Sequence, residues 1–195
     1  VFVRYTDTSK KYSNVIAMPL AESWVTYNKK SSIIKQKKSL ISLIASNKIQ
    51  LDGHLLRHQI VERISNTNSI NIDFLGRAYK PFDKKEEGLL PYKFSIIIEN
   101  VRETDYFTEK LLDCFICETI PIYWGADNIG VYFDIEGMLI FQNIDDLINI
   151  LGNISDEWYF SRKSYIMKNL ETAIELGKSS DRIISRMGEE VLKNP

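Results

Sequence analysis

The run Tyr92–Gly125, YKFSIIIENVRETDYFTEKLLDCFICETIPIYWG, decides the fold. Phe94-Ser95-Ile96-Ile97-Ile98 is short, apolar and rich in β-branched residues, which predicts a buried strand. Glu99 to Asp105 is polar and too charged to be core. Leu111, Leu112, Phe115 and Ile116 then recur at helical spacing and predict a helix with one buried face, which Asp105 or Thr108 can cap. Ile120-Pro121-Ile122-Tyr123-Trp124 is a second strand, ended by Gly125. The unit is strand, polar loop, helix, strand.

Such a unit has one functional end, where the loop leaves the first strand and enters the helix. Free backbone N–H groups and the positive end of the helix dipole suit a phosphate there, and parallel sheets bind ligands along that edge. The same edge carries Asn100, Arg102, Tyr106, Glu109 and Lys110. A lysine neutralises phosphate, a glutamate accepts hydrogen bonds from sugar hydroxyls, and asparagine and tyrosine supply further polar contacts. The pattern points to an anionic, hydroxyl-bearing ligand, most simply a nucleotide or nucleotide sugar. The competing reading is a solvated loop that binds nothing.

The string Glu99-Asn100, Tyr106, Thr108-Glu109-Lys110, followed by Ile120-Pro121-Ile122-Tyr123-Trp124-Gly125, resembles the donor-site signature of the alpha-1,3-fucosyltransferase family. Upstream, Leu40–Lys48 and Gly53-His54-x-x-Arg57 resemble the strand and helix that open that family's donor domain. The resemblance covers Lys38 to Leu151. It implies the carboxyl-terminal, donor-binding half of a GT-B glycosyltransferase: an α/β, Rossmann-like and mostly parallel sheet with helices on both faces and a helical tail. It implies GDP-fucose as co-substrate and a glycan hydroxyl as acceptor, with inversion at the fucose carbon. No separate cofactor is expected, and with no D-x-D pair of carboxylates in the sequence an obligatory metal is not implied. The donor-binding residues it implies are Asn100, Tyr106, Glu109 and Lys110, with Arg77 as the nearest match to an arginine that contacts the diphosphate. In the family the general base lies in an amino-terminal acceptor domain, which has no counterpart here. No catalytic residue is therefore assigned, and neither Glu22 nor Glu99 is an adequate match. Two alternatives remain open: a non-catalytic nucleotide-sugar-binding module, and a transferase that uses another nucleotide sugar.

The 195 residues, 44% hydrophobic and 26% charged, suit one globular domain with a sizeable core. A net charge of −1 provides no global field for nucleic acid or acidic membrane. The chain begins at Val1 rather than Met, which reads as a fragment, and no apolar run precedes Arg4 and Asp7 as a signal peptide requires. With no stretch long enough to span a bilayer, a soluble chain is expected, cytoplasmic in a microbial or viral-host setting. Cys114, Cys117, His54 and His58 invite a zinc reading. The two cysteines flank Phe115 and Ile116 inside an apolar helix, however, where cysteine behaves as a small hydrophobe.

Residues 1–38 read as an interdomain connection or a remnant of the acceptor domain, and 39–195 as the donor domain. Phe2-Val3-Arg4-Tyr5 is a candidate strand, Met18, Pro19, Leu20 and Trp24 suggest a packed stretch, and the lysine-rich run Lys29–Lys38 reads as an exposed linker. Leu40–Ala45 predicts a buried strand. Asp52–Ile64 predicts a helix capped by Asp52, with Leu55, Leu56, Ile60, Val61 and Ile64 as its stripe. Ile70–Phe74 alternates as a strand that Gly76 ends, and Tyr79–Leu90 reads as a loop. Ala126–Gly130 reads as a loop at the same sheet edge, either a wall of the donor pocket or an ordinary turn. Met138–Phe141 predicts a strand, Ile144–Leu151 a helix, and Ser155–Leu192 a mostly helical tail. Asn153-Ile154-Ser155 matches a glycosylation sequon.

Overall fold

A computed structural model describes residues 2–4, 10–12, 15–19, 21–26, 37–66 and 71–193 of the chain. The central strands form where β-branched and aromatic residues cluster. They are β3 (Ser39–Ile44), β4 (Asp73–Leu75), β5 (Tyr92–Ile98), β6 (Ile120–Trp124) and β7 (Leu139–Ile140). All pair in parallel in the order β4-β3-β5-β6-β7. A short parallel pair, β1 (Phe2–Val3) and β2 (Ile16–Ala17), stands apart from this sheet. Residues 67–70, including the start of the predicted strand Ile70–Phe74, lie outside the described residues.

Every residue of β5 is buried, as expected of a central strand covered on both faces. Alternation sends Phe94, Ile96 and Ile98, with Ile120 and Ile122 of β6, into one core. That core is closed by Ile60, Val61 and Ile64 of α1 (Asp52–Ser65) and by Leu147 and Leu151 of α3 (Ile144–Asn153). Ile97 and Tyr123 point the other way, against Leu111, Leu112 and Phe115 of α2 (Glu109–Ile116). The tail is helical: α4 (Asp156–Ser161), α5 (Lys163–Leu176) and α6 (Ser179–Lys193). Leu170 and Ala173 of α5 close the second core, and Trp158 and Tyr159 pack against Phe94. Among the described residues, no helix is long and apolar enough to cross a membrane.

Several local expectations change in the folded chain. Leu51, not Asp52, is the N-cap of α1, and Leu55 is exposed. The inward face of α1's first turns is instead Gly53, His54 and Arg57. The Glu99–Asp105 segment is not uniformly solvated, because Glu99 and Asp105 are both buried. Most of the lysine run lies outside the described residues, but Lys37 is buried rather than exposed. Its ammonium donates to the Tyr92 and Cys117 carbonyls, both at 2.7 Å, and to Thr119 Oγ1 at 2.6 Å. Three donors meet three acceptors. Burial lowers its pKa from 10.5 to about 8, against the opposing pull of the nearby thiols and Glu118.

The two cysteines are free and buried. Burial pushes both thiols up, Cys117 to about 12. Cys117 lies by Lys37 and Thr119 at the amino edge of the sheet, whereas His54 lies at the carboxyl edge.

Candidate functional site

The strand order reverses direction between β3 and β5. The chain runs outward from β3 to β4 and then crosses back to β5 on the other side. At such a switch point the loops leaving adjacent carboxyl ends diverge and open a crevice. A cleft of about 620 Å³ lies there. Its walls come from the end of β3 (Ile44, Ala45, Ser46), the turn after β4 (Gly76, Arg77), the end of β5 (Ile98, Asn100) and the first residues of α2 (Glu109, Lys110).

The amino end of α1 is pressed onto β5. Gly53 N–H donates to the Asn100 carbonyl at 3.0 Å, and a side chain at Gly53 would collide with the Glu99 carbonyl. This approach brings His54 and Arg57 into the cleft lining. Arg57 is buried, and its Nη2 donates to the Ile98 carbonyl and, at 3.4 Å, to Asn100 Oδ1. The Leu51 N–H donates to His54 Nδ1 at 3.3 Å, which leaves the proton of the neutral ring on Nε2. Burial, then the charges of Arg57 and Lys48, lower the His54 pKa below its ordinary value.

The amino end of α2 is held by Thr108, not Asp105. Thr108 Oγ1 accepts from the Lys110 N–H at 3.4 Å and donates to Glu99 Oε2 at 2.7 Å, while the Thr108 N–H donates to Glu99 Oε1 at 2.9 Å. Glu99 is fully buried, and Lys110 Nζ stands 3.6 Å from it and 3.3 Å from Glu109. Burial raises the Glu99 pKa, opposed by Lys110 and the two Thr108 bonds. At Glu109 burial also pushes upward, but Lys110 and Lys85 prevail and the net shift is downward. Thr108→Val is expected to remove both the cap and a donor to the buried carboxylate, costing about 2–3 kcal/mol. Chemical denaturation should show most of that loss restored in Thr108→Ser, and equal stability of Thr108→Val and wild type would contradict the arrangement.

Arg77, Asn100, Glu109 and Lys110 thus meet in one cleft. Tyr106 lies beside the cleft rather than in its lining, with its ring 4.4 Å from the Arg4 guanidinium. The Ala126–Gly130 turn is not a cleft wall either. Its Asn128 side chain bonds Asp105 Oδ1 at 2.6 Å and, together with Tyr132, holds Asp105 in a left-handed turn at φ 63°. Sequence reasoning passed over His54, Arg57, Lys48, Lys85 and Trp24, all of which line the cleft. The available signal was Gly53-His54-x-x-Arg57, in which polar residues occupy helix positions facing a strand.

The cleft concentrates positive charge. Lys48, Arg57, Arg77, Lys85 and Lys110 stand against the two carboxylates Asp83 and Glu109, on a chain whose net charge is −1. Apolar side chains, including Pro81, Phe82 and Leu89, line the rest. This arrangement can bind a polyanion with an apolar or ring-shaped appendage.

The family model described as "Glycosyltransferase family 10 (fucosyltransferase) C-term" matches residues 34–157. The alpha-(1,3)-fucosyltransferase FucT of Helicobacter pylori is 36% identical over 70 residues, covering 34% of this chain and 15% of that protein. A solved alpha1,3-fucosyltransferase with GDP-fucose shares the fold at a TM-score of 0.54 and 21% identity, over 77% of this chain and 50% of that one. TarM does so at a TM-score of 0.61 and 11% identity, over 96% of this chain and 42% of that one. The chain spans half or less of the length of these proteins. With a match over well more than half of its residues, centred on the strands and helix ends that build the cleft, the chain belongs to glycosyltransferase family 10, the fucosyltransferase family.

Proposed function

We propose that this chain binds the donor GDP-fucose in the switch-point cleft, for inverting transfer of fucose to a hydroxyl of a glycan acceptor. The observation that carries the reading is the excess of cations at the carboxyl edge of a parallel sheet, beside the amino end of α2. Lys110, Arg57 and Arg77 neutralise the diphosphate, and Asn100 positions it. Glu109 accepts hydrogen bonds from the sugar hydroxyls, and Tyr106 borders the site from the loop before α2.

In the transfer, an acceptor oxygen attacks the fucose anomeric carbon as the bond to the diphosphate breaks, and negative charge grows on GDP. Cations already in place stabilise that charge without reorganisation. The acceptor proton needs a base within hydrogen-bond reach. Glu109 is ill suited, because its neighbours hold its pKa down, and Glu99 is fully buried and occupied by Thr108. The base and the acceptor site are assigned to sequence outside these 195 residues, consistent with the share of its relatives that the chain spans.

Calorimetry with GDP, UDP and GDP-fucose tests the reading. GDP and GDP-fucose should bind, UDP should bind at least about tenfold more weakly, a difference of about 1.4 kcal/mol, and Glu109→Ala should weaken GDP-fucose more than GDP. Equal binding of UDP would favour another nucleotide sugar as donor, and no binding of any nucleotide would end the proposal. Fucose transfer by the 195-residue chain alone would place the base within it.

A further inference from the structure

Trp24 is 72% exposed, although large aromatic side chains ordinarily bury most of their surface. It is nevertheless not loosely held. Its backbone N–H donates at 2.9 Å to Oδ1 of Asp113, a fully buried carboxylate of α2. The same oxygen accepts from Ser23 Oγ at 2.7 Å and the Val25 N–H at 3.1 Å. Ala21 and Val25, on either side, are buried. A buried anion therefore fixes the backbone that carries an exposed indole on the cleft wall.

The neighbours of the indole form an ordered chain of contacts. Lys110 Nζ lies 3.3 Å from Glu109 Oε1, which lies 3.9 Å from Lys85 Nζ, which lies 4.7 Å from the Trp24 ring centroid. Lys85 is itself anchored 2.6 Å from Asp113 Oδ2. The wall thus runs from a phosphate-binding ammonium, through a carboxylate and a second ammonium, to an aromatic face. A sugar ring needs this set. Its weakly positive C–H face lies on a π system, while its hydroxyls donate to a carboxylate and accept from an ammonium. A guanine base also suits a carboxylate, through its N1–H and N2–H groups, and an indole face, so the comparison of GDP with GDP-fucose separates a sugar platform from a nucleobase platform.

We propose that Trp24 and Glu109 form a subsite for the sugar ring of the bound nucleotide sugar, with Trp24 as its stacking platform and the buried Lys85 ammonium holding the two in place. The proposal rests on the nucleotide-sugar reading above and adds Trp24 as a sugar contact and Lys85 as a positioning residue. Trp24→Ala and Trp24→Phe are compared with wild type by calorimetry against GDP and against GDP-fucose, with thermal melting to follow the fold. Because the indole is exposed and its anchor is the backbone N–H, both variants should melt as wild type does. Trp24→Ala should bind GDP-fucose about tenfold more weakly, bind GDP within about twofold of wild type, and be largely rescued by Trp24→Phe. Equal losses for GDP and GDP-fucose would identify a nucleobase platform and overturn the proposal. Unchanged affinity for both would equally overturn it. Wild type that binds neither nucleotide would remove the nucleotide-sugar reading, and the subsite with it, a result distinct from either of those.

Discussion

Lys110→Ala is expected to weaken GDP binding by about one to two orders of magnitude, the loss of one charge-assisted contact to a diphosphate worth about 1.5–3 kcal/mol. Lys110 also has a structural partner. Its ammonium stands 3.6 Å from the fully buried Glu99 carboxylate, and truncation leaves that group without its cation. A second signature therefore accompanies the affinity loss. Glu99 already has a raised pKa from burial, and Lys110 is the largest influence pulling it down. A carboxyl whose folded pKa lies above its unfolded value contributes stability below the unfolded pKa and loses it as pH rises through the folded one. Removing Lys110 raises the folded value further. The destabilisation of Lys110→Ala should be smallest below pH 4.5 and should grow toward neutrality. Adding Glu99→Gln should restore most of the stability but none of the GDP affinity, which separates the two roles. Wild-type GDP affinity in folded Lys110→Ala would remove it from the diphosphate site, and a pH-independent stability loss would remove the coupling to Glu99.

The second large effect belongs to Gly53→Ala. An added Cβ would overlap the Glu99 carbonyl oxygen and lie 2.8 Å from its carbon and 3.0 Å from the Asn100 oxygen. All three are backbone atoms of the β5 end and cannot rotate away. The start of α1 must retreat, which breaks the 3.0 Å bond from the Gly53 N–H to Asn100 and moves His54 and Arg57. Overpacking of this kind costs about 1–3 kcal/mol and the bond about 1 more. A melting temperature lower by about 5–12 °C is expected, with GDP affinity reduced more than about tenfold. Gly152→Ala is the matched control, since nothing lies within 4 Å of a Cβ there. Placed in α3, it should stabilise by about 1 kcal/mol. A Gly53→Ala variant that melts with wild type would refute the close approach of α1 to β5.

The elements of this chain were legible because their signals are local. The isoleucine-rich run of β5, the helical spacing of Leu111, Leu112, Phe115 and Ile116, and the Thr108-Glu109-Lys110 start of α2 each lie within a few residues. A parallel sheet then has only one edge at which Asn100, Glu109 and Lys110 can meet. What remained hidden was which polar groups are buried, because burial depends on partners far away along the chain. Arg57 meets a carbonyl 41 positions on, Asp113 meets Ser23 across 90, and Lys37 meets Thr119 across 82. Read locally, Glu99 is one charge in a polar loop, Lys37 one lysine in a linker, and Arg57 one residue of a helix. Trp24 is the sharpest case. Its neighbours in sequence suggest only packing, whereas its exposed place on the cleft wall is set by a carboxylate on α2. Short-range spacing dictates where strands and helices begin. Only the packed chain decides where a charge loses its water, since that requires another segment to displace it.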